Sequence, residues 1–147
     1  MAPASASSSI LFFFEKRDFT LLQRTRLKFF LRNLFKKEAK RLGCANYIFC
    51  SDKRLLEINR QFLNHDYYTD IITFDLTDGS GPVEAEIYIS IDRVRENAKS
   101  LGVSFKKEIH RVIFHGALHL CGYVDKTNKE KEKMRQTEDL YLSQYFK

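Results

Sequence analysis

Apolar positions recur with two periods along the chain, and the switches between them mark its elements. Ile10-Leu11-Phe12-Phe13-Phe14 is a short apolar run bounded by charge, the form of a buried strand. From Leu21 to Leu42 the residues Leu27, Phe30, Leu31, Leu34, Phe35 and Leu42 fall at helical spacing, which predicts an amphipathic helix over that span. Tyr47–Cys50 reads as a second strand, and Ser51 or Asp52 can cap a helix running to about Leu63. Residues 64–70 are polar and rich in turn formers. Ile71-Ile72-Thr73-Phe74 is β-branched and aromatic, hence a third strand. Ile87, Ile89 and Ile91 alternate along Glu86–Ile91, a half-buried fourth strand that begins after Pro82, since proline cannot donate to a ladder.

Three helices follow. One runs from about Asp92 to Leu101 and stops at Gly102. Ser104 caps the next, whose stripe is Ile109, Val112, Ile113 and Leu120, with Gly122 placed to end it. Thr127-Asn128-Lys129-Glu130 has the capping-box form and opens a last helix to about Tyr145. Strands and helices are mixed in order, which predicts an α+β fold: a small mixed β-sheet of about four strands covered by about five helices. Residues 1–9 are small and polar and read as a disordered leader, leaving one domain over 10–147.

Composition narrows the class. A chain of 147 residues suits one domain, and 44% hydrophobic residues exclude wholesale disorder. The apolar run at 10–14 is too short for a signal-peptide core, and no stretch approaches the roughly 18 apolar residues of a membrane helix. Three cysteines, Cys44, Cys50 and Cys121, do not make a disulfide framework. A reducing, cytoplasmic setting without a membrane partner is expected. With 25 Lys+Arg against 19 Asp+Glu the net charge is +6, which suits a polyanionic partner without requiring one. Arg24, Lys28, Arg32, Lys36 and Lys40 form an i+4 row on the first helix. That row is either a solvated face or a phosphate-tracking stripe beside the functional cleft.

The chemistry concentrates in His115-Gly-Ala-Leu-His119-Leu-Cys-Gly122-Tyr-Val-Asp125. His115 and His119 are i and i+4, so their imidazoles share one helix face and can bind one metal ion. Gly122 turns the chain, and Asp125 in the short connection can supply a third ligand at the helix turn. Three protein ligands with a fourth position open is the arrangement of catalytic zinc, whereas structural zinc is closed by four. A nitrogen, nitrogen, oxygen set suits zinc or nickel more than calcium. One Zn(2+) per chain is expected, and no organic cofactor. In the metalloprotease motif His-Glu-x-x-His the residue after the first histidine is the general base; here it is Gly116, so a protease would lack its base. Glu108, two turns before His115, is either a partner that orients a ligand or a solvated acid favoured by the helix dipole. His65 and Asp66 are either a proton carrier and its orienter or ordinary loop residues.

At these residues the chain resembles the YbeY endoribonucleases. That family's signature reads His-Gly-x-Leu-His-Leu-x-Gly-Tyr, matched here from His115 to Tyr123. Asn59, Phe62 and Thr69-Asp70-Ile71-Ile72-Thr73-Phe74 are similar to its Asn-x-x-Tyr-Arg and Thr-Asp-Val-Leu-Ser-Phe segments, and Glu86–Ser90 to its Gly-Asp-Ile-x-Ile-Ser strand. Two positions depart. The family's third ligand is usually histidine and here is Asp125; its arginine is here Leu63, with Arg60 three residues earlier as a substitute. The resemblance implies a zinc-dependent endoribonuclease cutting single-stranded RNA. It also implies maturation of the 3′ end of small-subunit ribosomal RNA, ribosome quality control, and the ribosome or small subunit as partner. The rival from another class is a non-catalytic RNA- or ribosome-binding assembly factor with a structural metal.

Overall fold

The computed structural model describes residues 8–147. Most of the stretch expected as a leader, residues 1–7, lies outside the described residues, while Ser9 opens the first strand. The elements are β1 (Ser9–Phe14), α1 (Arg24–Lys37), β2 (Leu42–Cys50), α2 (Asp52–Leu63), β3 (Ile71–Asp75), β4 (Val83–Ser90), α3 (Ile91–Leu101), α4 (Phe105–Leu120) and α5 (Asn128–Tyr145). They form the expected α+β fold, with one four-stranded sheet in the order β1-β2-β4-β3. β1, β2 and β4 run parallel, and β3 pairs antiparallel with β4 at the edge.

Strand alternation divides the sheet into two unequal faces. Ile10, Tyr47, Phe49, Ile87 and Ile89 point to one side, where they meet Leu27, Leu31 and Phe35 of α1 and Ile113, Phe114 and Ala117 of α4 in the main core. On the other side a smaller cluster joins Cys50 and Ile72 to Leu55 and Ile58 of α2. Helix α4 approaches the sheet closely at Gly116. A Cβ there would lie 3.0 Å from Ile71 Cδ1 and 3.1 Å from an Ile87 methyl, closer than ordinary side-chain contact. A protease-type glutamate at 116 would therefore run into the sheet, so the glycine answers to packing. Tyr47, buried under α4, donates its hydroxyl to the Ile113 carbonyl at 2.8 Å, which satisfies the one polar atom it brings inside.

Local capping behaves as the chain's side chains dictate. Ser51, Ser90, Ser104 and Thr127 each accept from a backbone N–H one turn ahead, and Thr127 with Glu130 completes the capping box. The first helix is shorter than its apolar pattern predicts, however. Gln23 sits at φ 54 and holds the entry, so the helix begins at Arg24 instead of Leu21. Ala39 at φ 59 turns the chain out, and Leu42 opens β2 instead of closing α1. Strand β2 thereby begins five residues before Tyr47. Its early half is held by ladders on both sides, to β1 and to β4. Likewise β4 starts at Val83, directly after Pro82, and α3 starts at Ile91, capped by Ser90.

Candidate metal centre

Helix α4 carries His115 and His119 one turn apart beside the β3 edge, with ring centroids 4.5 Å apart and planes at 82°. Beyond the helix, Gly122 at φ 102 reverses the chain, a conformation a side chain would strain, and the connection brings Asp125 back. Asp125 Oδ2 lies 3.4 Å from His115 Nε2 and 3.4 Å from His119 Nε2. One ligand atom from each of the three residues falls within 4.8 Å of the others. Zinc bonds of about 2.0–2.2 Å in a tetrahedron set donor–donor edges of about 3.4 Å, so the two histidine–aspartate separations fit such an ion.

The far sides of both rings are tied down. His119 Nδ1 lies 2.9 Å from the Tyr123 carbonyl, and His115 Nδ1 lies 2.5 Å from Glu138 Oε2 on α5. A backbone carbonyl can only accept, so His119 carries its proton on Nδ1 and presents the Nε2 lone pair toward Asp125. Glu138 imposes the same on His115. Glu138 is itself held by Arg111, whose Nη1 donates at 3.0 Å and whose Nη2 reaches Asp139 at 2.5 Å. The carbonyl that fixes His119 is steadied from α1: Glu38 accepts from the hydroxyls of Tyr123 at 2.9 Å and Tyr141 at 2.5 Å.

Charges around the site oppose one another. Burial alone would lower the His115 pKa, but its hydrogen bond to Glu138 and the charges of Glu138, Asp125 and Asp70 outweigh it and raise the value. Asp70, just before β3, is half-buried near His115; desolvation raises its pKa and the imidazole only partly offsets that. Burial also raises the Glu108 carboxyl, against the nearby Arg111 guanidinium.

The three candidate ligands open into a cleft of about 560 Å³ that Tyr67, Thr69 and Asp70 also line. One neighbouring depression shares His115, Asp125 and Asp70 with it and is bordered by Glu108, Lys131 and Arg135. Another shares Asp75 and Leu120 and is bordered by Lys40 and Arg41. Together they make a trough across the metal group with cations at both ends.

Other residues named from sequence fall out differently. Arg24 and Lys28 lie over the rings of Phe14 and Phe12 on β1, the sheet edge opposite β3. The basic row as a whole does not border the histidine cleft, and Lys40 stands beyond the helix. His65 Nδ1 meets the Tyr67 hydroxyl at 3.0 Å, while Asp66 pairs with Arg60 instead of orienting His65. Leu63 ends α2, half-exposed. Glu138, Asp70 and Glu38 carry no signal in a single chain. Each owes its place to partners distant in sequence, although Asp70 lies inside the Thr69–Phe74 segment.

Residues 14–146 match the family model described as Endoribonuclease YbeY. The chain belongs to the YbeY endoribonuclease family. It is 53% identical over 135 residues to the Endoribonuclease YbeY of Cytophaga hutchinsonii, covering 92% of this chain and 94% of that one. It is 49% identical over 113 residues to that of Bacteroides thetaiotaomicron, covering 77% and 82%. The solution structure of TM1509 from Thermotoga maritima superposes with a TM-score of 0.59 at 28% identity, covering 94% of this chain and 89% of that one. Among the described residues no helix is long and apolar enough to cross a membrane.

Proposed function

We propose that the chain is a zinc-dependent endoribonuclease, specific for single strands, that acts in the cytoplasm on the 3′ end of small-subunit ribosomal RNA and in ribosome quality control. The domain responsible spans residues 10–147, and the ribosome or its small subunit is the partner. The observation that carries this reading is the His115, His119 and Asp125 trio, spaced for one tetrahedral ion and open to a cleft, in a chain of the YbeY family.

His115 Nε2, His119 Nε2 and an Asp125 oxygen would hold the ion. Zinc, when bound, supplies Lewis acidity toward a phosphate oxygen and toward water. The residues around it do the rest. Glu138 and the Tyr123 carbonyl keep both imidazoles turned with Nε2 inward, so no reorientation is needed when substrate arrives. Asp70 lines the cleft with the three candidate ligands, where desolvation raises its pKa, and in this reading it gives a proton to a leaving oxygen or takes it back. Asp70 takes this role in preference to His65, which is engaged with Tyr67, and to Arg60, which is paired with Asp66. Glu108, on the far side of the trough, sits in its buried wall beside Arg111. Lys40 and Arg41 at one end, and Lys131 and Arg135 at the other, meet the phosphates of a strand laid along the trough.

The test joins metal analysis of the purified chain to cleavage of single-stranded and duplex RNA, for wild type and for the double variant His115→Ala, His119→Ala. One zinc per chain with cutting of the single strand, both lost in the variant, is the expected result. Metal retained by the variant overturns the ligand set. Metal bound by the wild type with no cutting returns the chain to the rival class of assembly factors.

A further inference from the structure

The loop between α2 and β3 carries Tyr67 with 56% of its surface exposed, yet its placement is tightly specified. Asn64 adopts φ 56 and ends α2, and the His65 N–H donates to the Asn59 carbonyl at 3.1 Å. The Asn59 side chain, 1% exposed, donates back to the Tyr67 carbonyl at 2.8 Å. Arg60 pairs with Asp66, and Arg93 lies 5.0 Å over the Tyr68 ring. The His65 ring stacks on Tyr67 at 5.1 Å and 22°, and the two rings share a hydrogen bond of 3.0 Å. Tyr67 itself lines the cleft that holds the three candidate ligands.

A large exposed aromatic is normally free to turn, and here it is backed by a second ring and anchored through a buried asparagine. We infer that Tyr67, backed by His65, is a stacking platform for one nucleobase of the RNA strand, the base next to the phosphate held at the metal group. The inference rests on the RNA-cutting reading and adds to it a base-binding subsite. Stacking on an aromatic face is tolerant of base identity because every base has a π-face. The platform therefore fixes the register of the strand without reading its sequence.

The test uses the full zinc-loaded chain and a single-stranded RNA with 2-aminopurine or an abasic nucleotide placed at each position in turn. Binding is read as fluorescence quenching on rapid mixing, before cutting, and as the half-saturation point in single-turnover cleavage. Tyr67→Ala is expected to weaken binding about 5- to 140-fold, the worth of one stacked base. Tyr67→Phe and Tyr67→Trp keep binding near wild type. One abasic position weakens wild type by the same factor and adds nothing further in Tyr67→Ala. The slope of log affinity against log salt stays unchanged, which separates stacking from loss of a phosphate contact. Tyr67→Ala binding within twofold of wild type, while wild type binds and cuts, overturns the platform and leaves the RNA-cutting reading standing. So does an abasic effect that is equal at every position. A wild-type chain that binds no RNA overturns both.

Discussion

Replacing Glu138 with glutamine removes one negative charge and keeps the side chain's shape, at a point where His115 and Arg111 both depend on that charge. Glu138 is 5% exposed, with Oε2 at 2.5 Å from His115 Nδ1 and Oε1 at 3.0 Å from Arg111 Nη1. Removing one partner of a buried ion pair costs about 3–5 kcal/mol when the other is left unpaired. Arg111 keeps Asp139 at 2.5 Å, and that carboxylate side chain is 58% exposed, so the loss is nearer one charge-assisted hydrogen bond, about 1.5–3 kcal/mol. At about 2–4 °C per kcal/mol for a chain of this size, the metal-free Tm falls by about 3–12 °C. The effect on metal is separate. A glutamine amide can donate to His115 Nδ1, which would move the ring proton to Nε2 and block ligation. Loss of such a supporting partner typically weakens metal affinity about 10–100-fold, or about 1.4–2.8 kcal/mol. Because a ligand stabilises by RT ln(1 + [L]/Kd), the rise in Tm on adding zinc shrinks by the same energy, about 3–11 °C. Chelator competition measures the first quantity, and calorimetry with and without zinc measures the second. A Kd within twofold of wild type, with the metal-free Tm lowered as expected, would refute the argument that Glu138 orients His115 for the metal.

Asp125→His is expected to retain zinc, since imidazole is an equally competent ligand, while Asp125→Ala loses affinity; elemental analysis after dialysis decides, and undiminished zinc in Asp125→Ala removes Asp125 from the ligand set. The His115 pKa is raised above 6.5, so in the metal-free protein its protonated form contributes stability that is fully present below 6.5 and is lost as pH rises through the folded value. Zinc competes for the same imidazole, so zinc affinity falls as pH drops through that window, and a Kd flat across it would sink the assignment. Changing Lys40 and Arg41 together to Gln should reduce the slope of log K against log salt for single-stranded RNA by about 1.4, at about 0.7 per phosphate contact. The pair Arg24→Gln, Lys28→Gln, over the β1 rings, should leave that slope unchanged, and equal effects from both pairs would show that RNA does not follow the trough.

What a short stretch of chain can decide, this chain decides locally. The caps at Ser51 and Ser104, the left-handed Gly102 and the capping box at Thr127 depend on residues within one turn, and each falls where its pattern puts it. The i, i+4 pair His115 and His119 belongs to the same class: once α4 is a helix, a period of 3.6 residues puts both rings on one face. Asp125 was legible for a related reason, because Gly122 can reverse the chain and only two residues intervene.

The remainder waited on the order β1-β2-β4-β3, which no periodicity specifies. The polar and small residues Gly43-Cys44-Ala45-Asn46 carry little strand signal, and they are extended because β1 and β4 offer ladders on either side. Leu42 fits the helical stripe of α1 by spacing, yet Ala39 turns the chain first and Leu42 belongs to the sheet. The row from Arg24 to Lys36 is one helix face in any fold, but the placing of α1 over β1 turns Arg24 and Lys28 toward Phe14 and Phe12, at the edge away from the histidines. Glu138 reaches His115 from 23 residues away, and Glu38 reaches Tyr123 from 85. Hydrogen bonds of that kind are made only when packing has brought distant segments of the chain together. The candidate ligands of this site are thus written in one turn of helix and its exit, while the groups that hold them still are chosen by the packing of α1, α4 and α5, whose contacts depend on the buried surface of the whole domain.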